Sequence, residues 1–118
     1  MIRVVVADDE SDVRLLLRVQ LEREGFDVVG EAIDGQEAID QCAATEPDAL
    51  VLDLLMPGVN GFEAITKLRR DRPRMAIIAY TAVAGDFVRK EMARLRIPLL
   101  LKSGDVSVLA GKLRELVA

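Results

Sequence analysis

The chain is 118 residues long, 51% hydrophobic and 3% aromatic, with a formal net charge of -4, which gives room for one domain around one core of Val, Leu, Ile and Ala. One cysteine and no histidine exclude an internal disulfide, a zinc site and any Ser-His or Cys-His catalytic unit. The acidic balance argues against direct nucleic-acid binding by this domain, and no stretch approaches the roughly 20 apolar residues that cross a bilayer.

Taken in chain order, short apolar runs alternate with longer amphipathic stretches. Met1-Ile2-Arg3 leads at once into the first run, without a signal-peptide pattern, so a cytoplasmic location is expected. Strands are expected at 2–7, 27–32, 49–53, 75–80 and 97–101, each too short for an ordinary globular helix. Helices are expected at 12–24, 35–44, 61–70, about 86–94 and 106–117. The first carries Val13, Leu16, Leu17 and Leu21 as its core side, widened by Leu15 and Val19; the last carries Val106, Leu109, Ala110, Leu113 and Val117. Ser11, Asp34 and Asp105 are candidate N-caps, and Gly25 is a stop signal. Cys42, inside a helical pattern, reads as a small buried hydrophobe. Five βα units predict one α/β domain over 1–118, a doubly wound five-stranded parallel sheet, with Pro98 marking the fifth strand as an edge.

Polar residues collect where these strands end. The first runs into Asp8-Asp9-Glu10, the third into Asp53, the fourth into Thr81 and the fifth into Lys102. With strand order 2-1-3-4-5, the first and third ends are neighbours at the switch point, and Asp8, Asp9 and Asp53 share a pocket. Carboxylates that close need a cation, and Mg²⁺ suits an oxygen donor set that keeps exchangeable waters. Asp53 is then the candidate nucleophile towards a phosphoryl group, with the Leu55 carbonyl as a backbone metal ligand. Thr81 can donate a hydroxyl hydrogen bond and Lys102 an ammonium to the equatorial oxygens. Met56-Pro57-Gly58 and Asn60-Gly61 read as turns, and Leu55 and Val83 lie close enough to influence water access. Taken singly, the acids also read as solvated helix-start residues, Asp53 as a strand-end residue capping the next turn, Thr81 as structural and Lys102 as a surface lysine or a core-neutralising partner.

Together these residues resemble the receiver domain of two-component response regulators, the CheY-like fold, over essentially the whole chain. The acidic pair falls on Asp8 and Asp9, the phosphoacceptor on Asp53 within VLDLLMPG, the switch hydroxyl on Thr81 within YTA, and the lysine on Lys102. The resemblance implies phosphoryl transfer from a histidine on a sensor kinase to Asp53 with Mg²⁺, followed by slow acyl-phosphate hydrolysis. MIRVVVADD, VVGEAIDGQEAI and LLLKSG further resemble the N-terminal receivers of LuxR/NarL-type transcriptional regulators, where Ser103 after the lysine is a smaller departure. Homodimerisation through the fourth helix, fifth strand and fifth helix is a family implication, as is transcriptional output through a domain that does not follow Ala118 here.

Two departures touch the coupling side. Leu99 stands where the family usually has an aromatic residue three before the lysine, and Ala93 to Ile97 lacks the usual glycine turn beside a short fourth helix. The alternative reading is therefore a phosphorylation-independent pseudo-receiver, a binding or dimerisation module. Phe87 reads either as core packing or as part of the responding face. A dedicated aspartate-nucleophile phosphatase lacks its acid/base here, since Leu55 occupies that position, and no GxxxxGK[ST] or GxGxxG loop supports nucleotide binding.

Overall fold

A computed structural model describes residues 1–56, 61–82, 84–102 and 105–118. The expected turns at Met56-Pro57-Gly58 and Asn60-Gly61 lie wholly or partly outside these residues, as do Val83 and Ser103. The elements are β1 (Arg3–Ala7), α1 (Ser11–Arg23), β2 (Asp27–Ala32), α2 (Gly35–Thr45), β3 (Ala49–Leu52), α3 (Gly61–Asp71), β4 (Ala76–Thr81), α4 (Asp86–Arg94), β5 (Leu99–Leu101) and α5 (Val106–Val117). All strand pairs are parallel and the order is β2-β1-β3-β4-β5, the doubly wound arrangement expected. Helices with apolar stripes cover both faces, so β3 is buried at every residue.

The two-residue period of the strands sorts their side chains into two cores. Val5, Ala7, Leu50, Leu52, Ile77 and Ala79 face α2, α3 and α4, where Cys42, Ile65, Leu68 and Met92 pack. Val4, Val6, Val51, Ile78 and Tyr80 face α1 and α5, meeting Leu17, Leu21, Leu109 and Leu113. Cys42 is fully buried as expected, and loss of solvation pushes its thiol pKa up to about 11.

Three local expectations are corrected. Ser11 is the first residue of α1 and not its cap; Glu10 occupies that position and makes no side-chain capping bond. Asp34 and Asp105 do cap, accepting from the Glu37 and Ser107 amides. Leu16, expected in the core stripe, lies exposed beside Leu15 and Val19, because only Leu17 and Leu21 of α1 turn fully inward. β5 starts two residues later than expected. Arg96 takes a left-handed conformation (φ 57°) after α4, and Pro98 has no amide to donate, though its carbonyl still accepts from Ala79. Among the described residues no helix is long and apolar enough to cross a membrane.

Candidate functional site

Parallel pairing fixes where the polar residues arrive. Ala7 pairs with Leu52, and the Asp53 amide then donates to the Ala7 carbonyl at 2.9 Å, which sets Asp8 and Asp53 side by side past the carboxyl ends of β1 and β3. The Asp8 amide continues the ladder to Ala32 on the other flank, also at 2.9 Å. Across β4, the Lys102 amide donates to the Thr81 carbonyl at 2.9 Å, so the lysine leaves β5 next to the buried threonine.

The Lys102 side chain then reaches back over the sheet. Its Nζ lies 2.5 Å from Asp8 Oδ2 and 3.0 Å from Asp53 Oδ2, joining three elements at one ammonium. Asp8 is 1% and Asp53 5% exposed; carboxylates so deprived of water need compensation of this kind. Their other oxygens are also engaged: Asp8 Oδ1 accepts from the Glu10 amide at 2.9 Å, and Asp53 Oδ1 from the Leu55 amide at 3.0 Å. Burial works to lower the Lys102 pKa, but hydrogen bonds to Asp8 and Asp53, reinforced by their charges, outweigh it and hold the ammonium above the ordinary lysine value.

Of the residues expected from sequence, Asp8, Asp53 and Lys102 are in direct contact. Thr81 is fully buried at the end of β4, and Asp9 stands exposed at the rim with Glu10. Ligand oxygens of Asp8, Asp9 and Glu10 fall within 4.8 Å of one another. These three carboxylates are hard oxygen donors with net negative charge, a chemistry suited to a small divalent cation. The Leu55 amide is bound to Asp53 while its side chain lies largely in solvent.

The sequence reading missed the support of this loop. Arg14 Nη1 donates to the Asp8 carbonyl at 2.8 Å and its Nε to Glu31 Oε1 at 3.1 Å. Arg18, one turn on, holds Glu31 Oε2 at 2.8 Å through Nη2 and the Val28 carbonyl at 3.2 Å through Nη1. The signal available was an Arg pair at i, i+4 in α1 together with Glu31 inside β2; what sequence could not show was that α1 lies across β2.

Comparison with known proteins shows the family and the fold. The family model for the response regulator receiver domain matches residues 4–112. The response regulator GacA of Pseudomonas viridiflava is 38% identical over 87 residues, 73% of this chain and 41% of GacA, so the chain spans less than half of that relative. A LuxR-family two-component response regulator from Aurantimonas superposes with TM-score 0.91 at 29% identity, covering 99% of this chain and 85% of that one. TrrA of Thermotoga maritima, solved in complex with Mg(2+)-BeF, superposes with TM-score 0.87 at 30% identity over 98% of this chain and 99% of TrrA.

Proposed function

The chain belongs to the receiver-domain family of two-component response regulators, and from that premise we propose that Asp53 is its phosphoacceptor and that Asp8, Asp9, Asp53 and the Leu55 carbonyl hold Mg²⁺. The observation that carries this reading is the Lys102 ammonium bridging Asp8 and Asp53 at the carboxyl end of the sheet. A nucleophilic carboxylate there has the Lys102 ammonium beside it, a positive group within reach of the incoming phosphate.

In the transfer, an Asp53 carboxylate oxygen forms the new P–O bond while the P–N bond to the sensor kinase's histidine breaks, and the imidazole leaves with the electron pair and is then protonated. Mg²⁺, held by the Asp8, Asp9 and Asp53 carboxylates and the Leu55 carbonyl, would supply charge neutralisation during the transfer. Lys102 gives up its pairing with Asp53 and takes a phosphoryl oxygen, and the Thr81 hydroxyl takes another. Thr81 is buried and Lys102 follows it across the sheet, so this change is felt first in the segment after β4 and in β5. Exposed Phe87, Leu101 and Val108 on α4, β5 and α5 support this face as the one offered to a second copy. Transcriptional output through a further domain, a cytoplasmic location and no nucleic-acid contact by this domain complete the reading. The pseudo-receiver alternative draws on one feature, half-buried Leu99 packed against the core where the family resemblance implies a ring.

The test is intact-mass spectrometry after incubation with acetyl phosphate, with and without Mg²⁺, on the native chain and Asp53→Asn. A metal-dependent, base-labile phosphoryl adduct on the native chain alone is the expected result. Absence of both adduct and Mg²⁺ binding would remove the phosphoacceptor reading in favour of the alternative.

A further inference from the structure

The acidic loop at the mouth of the site is tied at Asp8, whose amide donates to the Ala32 carbonyl and whose Oδ1 accepts from the Glu10 amide, each at 2.9 Å. α1 begins without a side-chain cap at Glu10, and Asp9 and Glu10 are exposed. Arg14 adds a side-chain tie from α1 to the Asp8 carbonyl: one nitrogen on that carbonyl at 2.8 Å, another on Glu31 of β2 at 3.1 Å. The Arg14 side chain is 17% exposed, and its planar fork fixes two acceptors at a set separation, which an ammonium cannot do. Glu31 is itself held by Arg18, so the anchor of Arg14 is not free to swing.

We propose that Arg14 is a positioning residue for divalent-cation binding: it spans the Asp8 carbonyl and Glu31 and so fixes the direction in which the Asp8 and Asp9 carboxylates face the metal. This rests on the Mg²⁺ reading above. Groups one bond beyond a metal's ligands commonly govern affinity by orienting those ligands. Arg14 also carries a positive charge, which by itself disfavours a cation nearby. Its two effects therefore have opposite signs, and substitution separates them.

The experiment is calorimetric titration with Mg²⁺ alone on the intact native chain, Arg14→Lys, Arg14→Gln and Arg18→Lys, with thermal unfolding of each in the absence of metal. Arg14→Lys and Arg18→Lys both keep the charge and both disturb Glu31, but only Arg14 touches Asp8. The expected result is Mg²⁺ affinity weakened about tenfold or more in Arg14→Lys, unchanged within about twofold in Arg18→Lys, with similar unfolding temperatures for the two. Arg14→Gln is expected to bind more weakly than the native chain despite the lost positive charge. Equal affinity of Arg14→Lys and the native chain, tighter binding by Arg14→Gln, or equal weakening in Arg18→Lys would overturn the positioning role alone. No saturable Mg²⁺ binding by the native chain would overturn the metal site itself and the role with it. Should Arg14→Lys unfold, the native chain decides by NMR: a slowly exchanging Arg14 Nε–H signal that shifts on adding Mg²⁺ supports the role, and an averaged, unresponsive one overturns it.

Discussion

The carboxyl end of β1 and β3 and the flank formed by α4 and β5 are built to different standards. In the first, both oxygens of Asp8 and both of Asp53 have bonded partners, and the strands beneath are buried almost throughout. In the second, β5 is three residues long with none of them fully buried, α4 has nine residues, and its Phe87 is 69% exposed, the ring tilted against Phe62 at 6.0 Å. A buried charge tolerates little displacement, whereas a partly exposed strand edge tolerates much. One fold thus bonds its polar groups densely at the strand ends and leaves its looser contacts on the flank, where a displacement costs least.

The comparison is broken most severely from the densely bonded side. Lys102→Met leaves Asp8 and Asp53 buried without a cation, a loss of about 3 kcal/mol expected in urea unfolding without metal. Saturating Mg²⁺ should then restore part of it, because a ligand bound only to the folded state stabilises it. Failure of Mg²⁺ to restore any would count against the metal assignment. Next in size is a matched pair of core truncations: Leu50→Ala in central β3 is expected to cost about 3 kcal/mol, whereas Leu99→Ala in half-buried β5 should cost about 1 kcal/mol. Equal losses would show that the flank is packed as firmly as the centre.

The Cys42 thiol sharpens the same contrast through pH, since it lies on the buried side of α2, in the core to which β1 and β3 contribute. Its folded pKa of about 11 exceeds the unfolded value of about 8.5, so the folded state holds the proton more firmly. The associated stability is full below the unfolded value and is lost as pH rises towards the folded one. About 1 kcal/mol should be gone one pH unit above the unfolded value. Lys102 contributes loss of the same sign at higher pH, so the measurement is the difference in pH slope between the native chain and Cys42→Ala; parallel slopes would contradict the thiol assignment.

How legible this molecule was in its sequence follows from the range of each interaction. Strand and helix bounds came within two residues of those observed because apolar period and strand-end acids are local signals. Asp8, Asp53, Thr81 and Lys102 were legible because they sit one after another at strand ends, and parallel order brings such ends together. Leu16 misled because α1 alternates Leu and Val so densely that period alone cannot say which side faces the sheet. Ser11 misled because it is a good capping residue one position too late. Arg14, Arg18 and Glu31 were invisible for a different reason: their meeting depends on where α1 crosses β2, a tertiary distance that no local pattern records.

Arg96 offers the smallest and cleanest test of the flank. Its φ of 57° closes α4, with its amide on the Ala93 carbonyl at 3.1 Å and the Ile97 amide reaching back to Met92 at 2.8 Å, a helix ending that ordinarily takes glycine. A side chain in the left-handed region costs roughly 1–2 kcal/mol. Glycine removes that cost but returns part of it through the greater freedom of its unfolded chain. Arg96→Gly is therefore expected to stabilise the protein by about 0.5 kcal/mol, read as a higher urea midpoint at unchanged slope. The exposed guanidinium makes no ion pair among the described residues, so no lost contact opposes the gain. Destabilisation would mean that Arg96 holds the α4 to β5 connection by its side chain, and that this flank is more firmly tied than its exposed strand and open rings imply.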